Sequence, residues 1–198
     1  MPSKLLVSTR NQHKLREITA ILAGTGVELV SLDGFPDAPE VIEDRDTLEG
    51  NAAKKSEELH ALTGIPTMAD DTGLEVDALN GAPGVLSARY AGEDASPADN
   101  RRLMLERMED ADDRRARFRT VIAMTTDEGT RLFEGACEGV ITREERGQGG
   151  FGYDPIFLPD GHTETFAEMD AGTKNAISHR GRALQAFARG IDLMKEGQ

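Results

Sequence analysis

The apolar positions of the chain change period several times, and each change marks an element. Lys4 to Thr9 is a short leucine- and valine-rich run that reads as a strand. Asn11 then suits a helix N-cap, followed by Leu15, Ile18, Ile21 and Leu22 at helical spacing. Gly24 and Gly26 end that helix, and Val27 to Leu32 makes a second strand. The opening is therefore β-α-β, the unit that builds parallel sheet through a right-handed crossover. An acidic loop, Asp37 to Asp46, precedes a helix from about Thr47 to Leu62, stopped by Gly64 and Pro66. A small strand, Thr67 to Ala69, runs straight into Asp70 and Asp71.

Residues 73 to 96, rich in glycine and proline, read as loops and short strands, and Pro97 to Met108 as a helix with proline in its first turn. A period of two then returns. Ala116, Phe118, Thr120, Ile122 and Met124 share one face of a strand, and Arg131 to Thr142 suggests a further hairpin around Gly135 and Gly139. The run GQGGFGYDP, Gly147 to Pro155, is too glycine-rich for regular structure. The last element is a helix of about Ser178 to Lys195, with Ala183, Leu184, Phe187, Ile191 and Met194 on its inner face. Helices alternate with strands early and strands dominate the middle, so the expected class is α/β with a mixed sheet. The chain shows no internal repeat, low-complexity tract or linker.

Length and charge narrow this picture. A chain of 198 residues with 38% hydrophobic positions suits one domain, or a compact two-lobed one. Its 36 acidic against 23 basic residues, a formal net charge of −13, argue against a broad nucleic-acid surface, which needs a basic stripe to neutralise phosphates. A small anion carrying its own metal remains compatible. The lone Cys137 cannot form an internal disulfide and reads as a small core residue, so a reducing cytoplasm is the expected setting. The start MPSKLLVSTR has too short an apolar run for a signal peptide, and no stretch approaches the ~20 apolar residues of a membrane helix. Arg101 to Arg119 interleaves seven arginines with acidic residues and reads as a solvated face.

Four segments could carry chemistry. In STRNQHK, Ser8 to Lys14, a strand gives way to a helix whose N-terminal N–H groups, with Lys14, could hold a phosphate; ordinary capping by Asn11 with Lys14 in solvent is the alternative. In ADDTGLEV, Ala69 to Val76, two carboxylates follow a strand, where open α/β sheets place ligands. Neighbours on an extended backbone point opposite ways, so Asp70 and Asp71 cannot both face one ion unless the chain turns. Magnesium commonly takes one or two carboxylates plus substrate phosphates. In GGFGYDP, Gly149 to Pro155, two of only nine aromatic residues sit among glycines, where a ring can stack on a base or pack into the core. In TKNAISHRGRAL, Thr173 to Leu184, Lys174, His179, Arg180 and Arg182 precede an apolar helix. Cations at a helix start oppose its dipole, so a balancing anion is expected, from a ligand or from a nearby Asp or Glu.

Together the segments describe a Mg-nucleotide site. The motifs STRNQHK, ADDTGLEVDALNGAPGVLSARYAG, GGFGYDPIF and KNAISHRG resemble, in order and spacing, the inosine triphosphate pyrophosphatase family over nearly the whole chain. The resemblance implies hydrolysis of the deaminated purine nucleotides ITP, dITP and XTP to monophosphate and pyrophosphate, which would keep them out of DNA and RNA. It also implies Mg²⁺ and a homodimer, while charge and hydropathy lead to the expectation of no nucleic-acid and no membrane partner. The implied fold is a single domain over 1–198: an elongated, twisted mixed sheet flanked by helices, with two lobes around a central nucleotide cleft. On this resemblance Thr9, Arg10, Asn11, Gln12, His13 and Lys14 bind the triphosphate. Asp71 is metal ligand and proton acceptor, with Thr72 beside the substrate. Phe151, Gly152, Tyr153, Asp154, Lys174, His179 and Arg180 hold the base and sugar end. A second metal ligand falls in VIEDRDTLEGNA, where Glu43 is the choice and Asp44 the competitor; Arg45 stands where family members commonly have glycine. A pyrophosphatase for modified pyrimidine or methylated nucleotides, and a non-catalytic nucleotide sensor, are the alternative readings.

Overall fold

The computed structural model describes residues 4–23 and 26–196, without the side chains of 192–196. Gly24 and the Met194 side chain, both assigned roles from sequence, lie outside what it describes. Strand β1 (Lys4–Val7) leads into α1 (Gln12–Leu22), with Asn11 as N-cap, its side chain accepting from the N–H groups of His13 and Lys14. Strand β2 (Glu28–Ser31) pairs parallel with β1, so the expected β-α-β opening is present. Helix α2 (Leu48–Thr63) starts at Thr47, whose side chain accepts from Gly50 N–H, and ends on Gly64. Gly64 has a φ of 66°, a left-handed conformation that only glycine adopts without penalty.

Strand β3 departs from expectation. It runs from Thr67 to Val76, so Asp70 and Asp71 lie inside a ten-residue strand rather than after a three-residue one. After the short β4 (Pro83–Gly84), α3 (Pro97–Arg107) opens with a reciprocal capping box between Ser96 and Asp99. Strands β5 (Arg115–Thr126) and β6 (Gly129–Ile141) are joined by a tight turn at Asp127 and Glu128. The hairpin expected around Gly135 and Gly139 is therefore one continuous strand. Gly139 is there for a different reason: it pairs with Pro159 of β7 (Phe157–Pro159), and a Cβ would collide with the Leu158 carbonyl and come within 2.8 Å of Phe157 Cζ. The last helices are α4 (Ala171–Ile177), not anticipated from the sequence, and α5 (His179–Glu196).

The sheet is mixed, with strand order β2-β1-β3-β5-β6-β7 and β4 beside β3. β1 pairs parallel with both neighbours, whereas β3–β4 and β6–β7 are antiparallel. The chain divides into two compact units. One comprises the described residues up to Asp71, Thr120–Gly135 and the chain from Arg180 onward. In it, β1 is buried on both faces from Leu5 to Val7, which is why these three residues read as a continuous apolar run. Leu5 and Val7 pack with Ile18 and Leu22 of α1 and Ala183, Leu184, Phe187 and Ile191 of α5, while Leu6 packs with Leu59 of α2. Hydroxyls pin α2 to the hairpin: Ser56 to Thr125 at 2.7 Å, and Thr130 to Glu57 at 2.8 Å.

The second unit comprises Thr72–Arg119 and Ala136–His179. Its core joins Met104 of α3 and Met108, the residue that caps its end, to Leu74, Phe118, Cys137, Tyr153, Phe157 and Phe166, so Cys137 is a buried core residue as expected. The arginine-rich segment is more structural than a solvated face. Arg114 donates to the carbonyls of Met108, Ile141 and Thr142. Arg117 binds Glu75, Asp77 and Glu138, and Arg119 binds Glu75. Strand alternation sends Ala116 and Phe118 into the core and Arg117 and Arg119 to the other face. Gly139→Ala should destabilise the protein by about 2 kcal/mol or more, since the added methyl meets backbone rather than a movable side chain; urea unfolding checks this.

Candidate active site

In the first unit, four segments bring their charges to two adjacent residues of β3. Asp70 and Asp71 are both buried, and the extended backbone sends their side chains to different partners, as the alternation argument required. The Asp70 carboxylate, Oδ2, lies 2.9 Å from Lys14 Nζ in the first turn of α1 and 3.5 Å from Arg180 Nε at the start of α5. Burial opposes ionisation of Asp70, but Lys14, Arg180 and Lys55 more than offset it and hold the carboxyl well below its ordinary range. Arg180 also pairs with Glu17 of α1. The anion expected to balance a cation at the α5 start is thus supplied by the protein itself.

Asp71 has the opposite environment. Burial pushes its carboxyl upward, Glu43 adds to that shift, and Lys55, Lys14 and a hydrogen bond from Asn51 oppose it. Lys55 lies on the inner face of α2, where its Nζ is 2.7 Å from Glu43 Oε1, 2.7 Å from the Asp70 carbonyl and 3.6 Å from Asp71 Oδ1. Burial disfavours the charge on Lys55, yet Asp71, Glu43 and Asp70 raise its ammonium above the ordinary value. Glu43 and Asp71 therefore surround one positive charge. Asp44 turns away to Lys54, 2.8 Å distant, on the exposed side of α2. Two carboxylates around a single cation are the donor set a hard divalent ion takes from a protein when phosphate and water complete its shell. Among the described residues, no three or more His, Cys, Asp or Glu side chains gather as a full protein cage.

The α1 start is a cap and a charge at once. Asn11 Oδ1 accepts from the N–H groups of His13 at 2.9 Å and Lys14 at 3.2 Å, so those two donors are already used. Lys14 is not in solvent but half-buried on Asp70. Thr9 Oγ1 accepts from Asn11 N–H, the His13 ring meets Arg16, and Gln12 is exposed. Arg10 donates to the Ala38 carbonyl at 2.9 Å and so ties the α1 start to the acidic loop.

In the second unit, Asp154 and Lys174 form a buried ion pair at 2.8 Å. Asp154 Oδ2 also accepts from Phe151 N–H at 2.7 Å, and Gly150 has no Cβ because that carboxylate occupies the space. Lys174 Nζ lies 4.9 Å from the Phe151 ring centre and 5.7 Å from that of Phe166. His179 stacks on Phe118 at 4.5 Å. The two aromatic readings divide between two rings: Tyr153 is core, its hydroxyl donating to the Ser87 carbonyl at 2.9 Å, and Phe151 is half-buried beside Gly152. Thr72, next to Asp71 on β3, is also half-buried. The segment SHR thus separates at one peptide bond, His179 joining the aromatic cluster and Arg180 joining Lys14 on Asp70.

Sequence reading missed Lys55 and Asn51. Both lie with Ala52, Ser56 and Leu59 on the buried face of α2, so a polar residue at an inward helical position was the available signal.

The depressed Asp70 carboxyl has a consequence for stability. Its contribution is complete above the unfolded-state value of about 3.9 and is lost as pH falls from there towards the lower folded-state value. Asp70→Asn leaves Lys14 and Arg180 without their shared counter-charge and should cost about 3 kcal/mol at pH 7. The stability difference between wild type and variant should narrow as pH drops below 4, which unfolding curves at several pH values would measure.

A model of the Ham1 family matches residues 5–190 of the chain. The chain is 53% identical over 182 residues to a dITP/XTP pyrophosphatase of Porphyromonas gingivalis, covering 91% of this chain and 93% of that one. It is 51% identical over 185 residues to a dITP/XTP pyrophosphatase of Geobacter sulfurreducens, covering 92% and 93%. A solved structure of a HAM1 protein from Coxiella burnetii superposes with a TM-score of 0.90 at 40% identity, covering 96% of this chain and 98% of that one. The four motifs and the mixed sheet that carries them agree with these likenesses, which span nearly the whole chain: the protein belongs to the Ham1 family.

Proposed function

We propose that this protein hydrolyses deaminated purine nucleoside triphosphates, dITP, ITP and XTP, to the monophosphate and pyrophosphate. Relatives that share half its residues bear the name dITP/XTP pyrophosphatase. The observation that carries the chemistry is the separation of two neighbouring buried carboxylates, Asp70 on Lys14 and Arg180, Asp71 with Glu43 around Lys55, and their carboxyls shift in opposite directions. Groups whose environments push their pKa values apart divide the work of structure and proton transfer between them.

Asp70 keeps Lys14 and Arg180 in place, and Asp71 is the base. Water attacks the α-phosphorus, Asp71 accepts its proton, and the α–β phosphoanhydride bond breaks as pyrophosphate leaves. A carboxyl raised by burial is a better proton acceptor than an ordinary aspartate. Lys14 and Lys55 stabilise the charge that develops on the leaving group, in surroundings where few water molecules screen them. Glu43 and Asp71 would hold Mg²⁺, which when bound would offset phosphate charge and make water more acidic. Thr9 to Lys14 with Thr72 meet the phosphates. Phe151 to Asp154, Lys174 and His179 hold the base and sugar, with Arg180 acting through Asp70. The purine 6-keto oxygen accepts hydrogen bonds that an adenine amino group cannot. Lys174, seated on Asp154 between two rings, is the donor with the most to lose when that acceptor is missing. The protein acts in the cytoplasm as a homodimer. Among the described residues, no helix is long and apolar enough to cross a membrane.

Asp71→Asn should lower pyrophosphate release from ITP with Mg²⁺ by about 10²- to 10⁴-fold while leaving circular dichroism unchanged. Near-normal turnover would remove Asp71 from the mechanism. Lys174→Ala should shrink the preference for ITP over ATP by about 10- to 100-fold, the equivalent of one unmet buried donor. Paired kcat/KM values for the two nucleotides decide this.

A further inference from the structure

Asn51, 1% exposed, occupies the second turn of α2, where alanine or leucine would serve the helix better. Its amide is fully committed to tertiary contacts. Oδ1 accepts from Arg45 N–H at 3.0 Å, and Nδ2 donates to the Arg45 carbonyl at 3.3 Å. One turn further along the same buried face of α2, Lys55 Nζ lies 2.7 Å from Glu43 Oε1 and 3.6 Å from Asp71 Oδ1. Asn51 thus ties the backbone of the loop that carries Glu43, two residues before Arg45, to the helix whose Lys55 faces the carboxylate on β3. Aspartate could not replace it, having no donors, and glutamine would be a methylene too long.

The neighbouring residue completes the grip. A Cβ at Gly50 would lie 2.9 Å from Arg45 Cβ and 3.1 Å from Thr47 Oγ1, so only a hydrogen at position 50 lets the Arg45 backbone approach Asn51 this closely. We propose that Asn51 is a positioning residue that sets the spacing of the Glu43 and Asp71 carboxylates for a divalent cation, with Gly50 providing the room that Arg45 needs. This rests on the assignment of Glu43 and Asp71 as the cation-holding pair in the proposed function. Asn51 touches neither phosphate nor base in this role.

The test measures Mg²⁺ alone, without nucleotide, through the rise it causes in the thermal midpoint, and separately the Mg²⁺ dependence of pyrophosphate release from ITP. Asn51→Ala should raise the half-saturating Mg²⁺ concentration by about tenfold or more in both, the usual loss when a group orienting a metal ligand is removed. Gly50→Ala should shift it in the same direction, and adding Arg45→Gly to that variant should bring it back to within about twofold of wild type. A folded Asn51→Ala protein with wild-type Mg²⁺ affinity overturns the proposal. So does a wild type whose midpoint does not respond to Mg²⁺, or a Gly50→Ala defect that Arg45→Gly does not repair. If Asn51→Ala fails to fold, the Gly50 and Arg45 cycle decides alone. Absence of pyrophosphate release by wild type from ITP and XTP would instead refute the proposed function, and the nucleotide-free Mg²⁺ arm would still read the clamp.

Discussion

The burial of Asp70 is the constraint on which the first unit depends. A carboxylate inside a sheet is costly unless opposite charges follow it there. Here they come from Lys14, Lys55 and Arg180, which belong to the start of α1, the inner face of α2 and the start of α5. The positions of three helices are therefore tied electrostatically to one residue of β3. The apolar contacts of Leu5, Val7, Leu6 and Leu59 hold the same helices against the sheet, but they would tolerate small shifts. Charges a few ångströms apart do not.

Next to that fixed point the strand places a second carboxylate with different partners. Asp71 shares Lys55 with Glu43, and burial, with Glu43 adding to it, pushes its carboxyl upward. The second unit repeats the logic more simply. Asp154 is buried because Lys174 comes with it, and Gly150 and Phe151 fold around the pair. Within an overall charge of −13, each of these cations is paired with a carboxylate of the chain.

Local rules made much of the fold legible. Asn11, Pro97 and Gly64 mark helix ends by capping bonds and backbone angles that need only near neighbours. The runs KLLV and ELVS pair as the expected parallel strands. Reading failed where a distant partner decides. Asp70 and Asp71 have low strand propensity, and β3 continues through them because their charges are answered from other segments. Gly139 looks like a turn residue until Leu158 is seen against it, and α4 is too short to show a period.

The site divides in the same way. Sequence alone singled out Lys14, Asp71, Asp154 and Lys174 as candidates through the motifs that hold them, and Glu43 through the family resemblance, because residue types and motif spacing are properties of the chain itself. Only the tertiary structure decided who partners whom: Glu43 rather than Asp44 on Lys55, Arg180 on Asp70 apart from His179, Tyr153 in the core and Phe151 beside Lys174. It also brought forward Lys55 and Asn51, which in sequence are two more polar residues of a helix. The physical reason is that hydrogen bonds and ion pairs act over a few ångströms. A residue's part in them is set by what folding brings within that distance, however far apart the partners are along the chain.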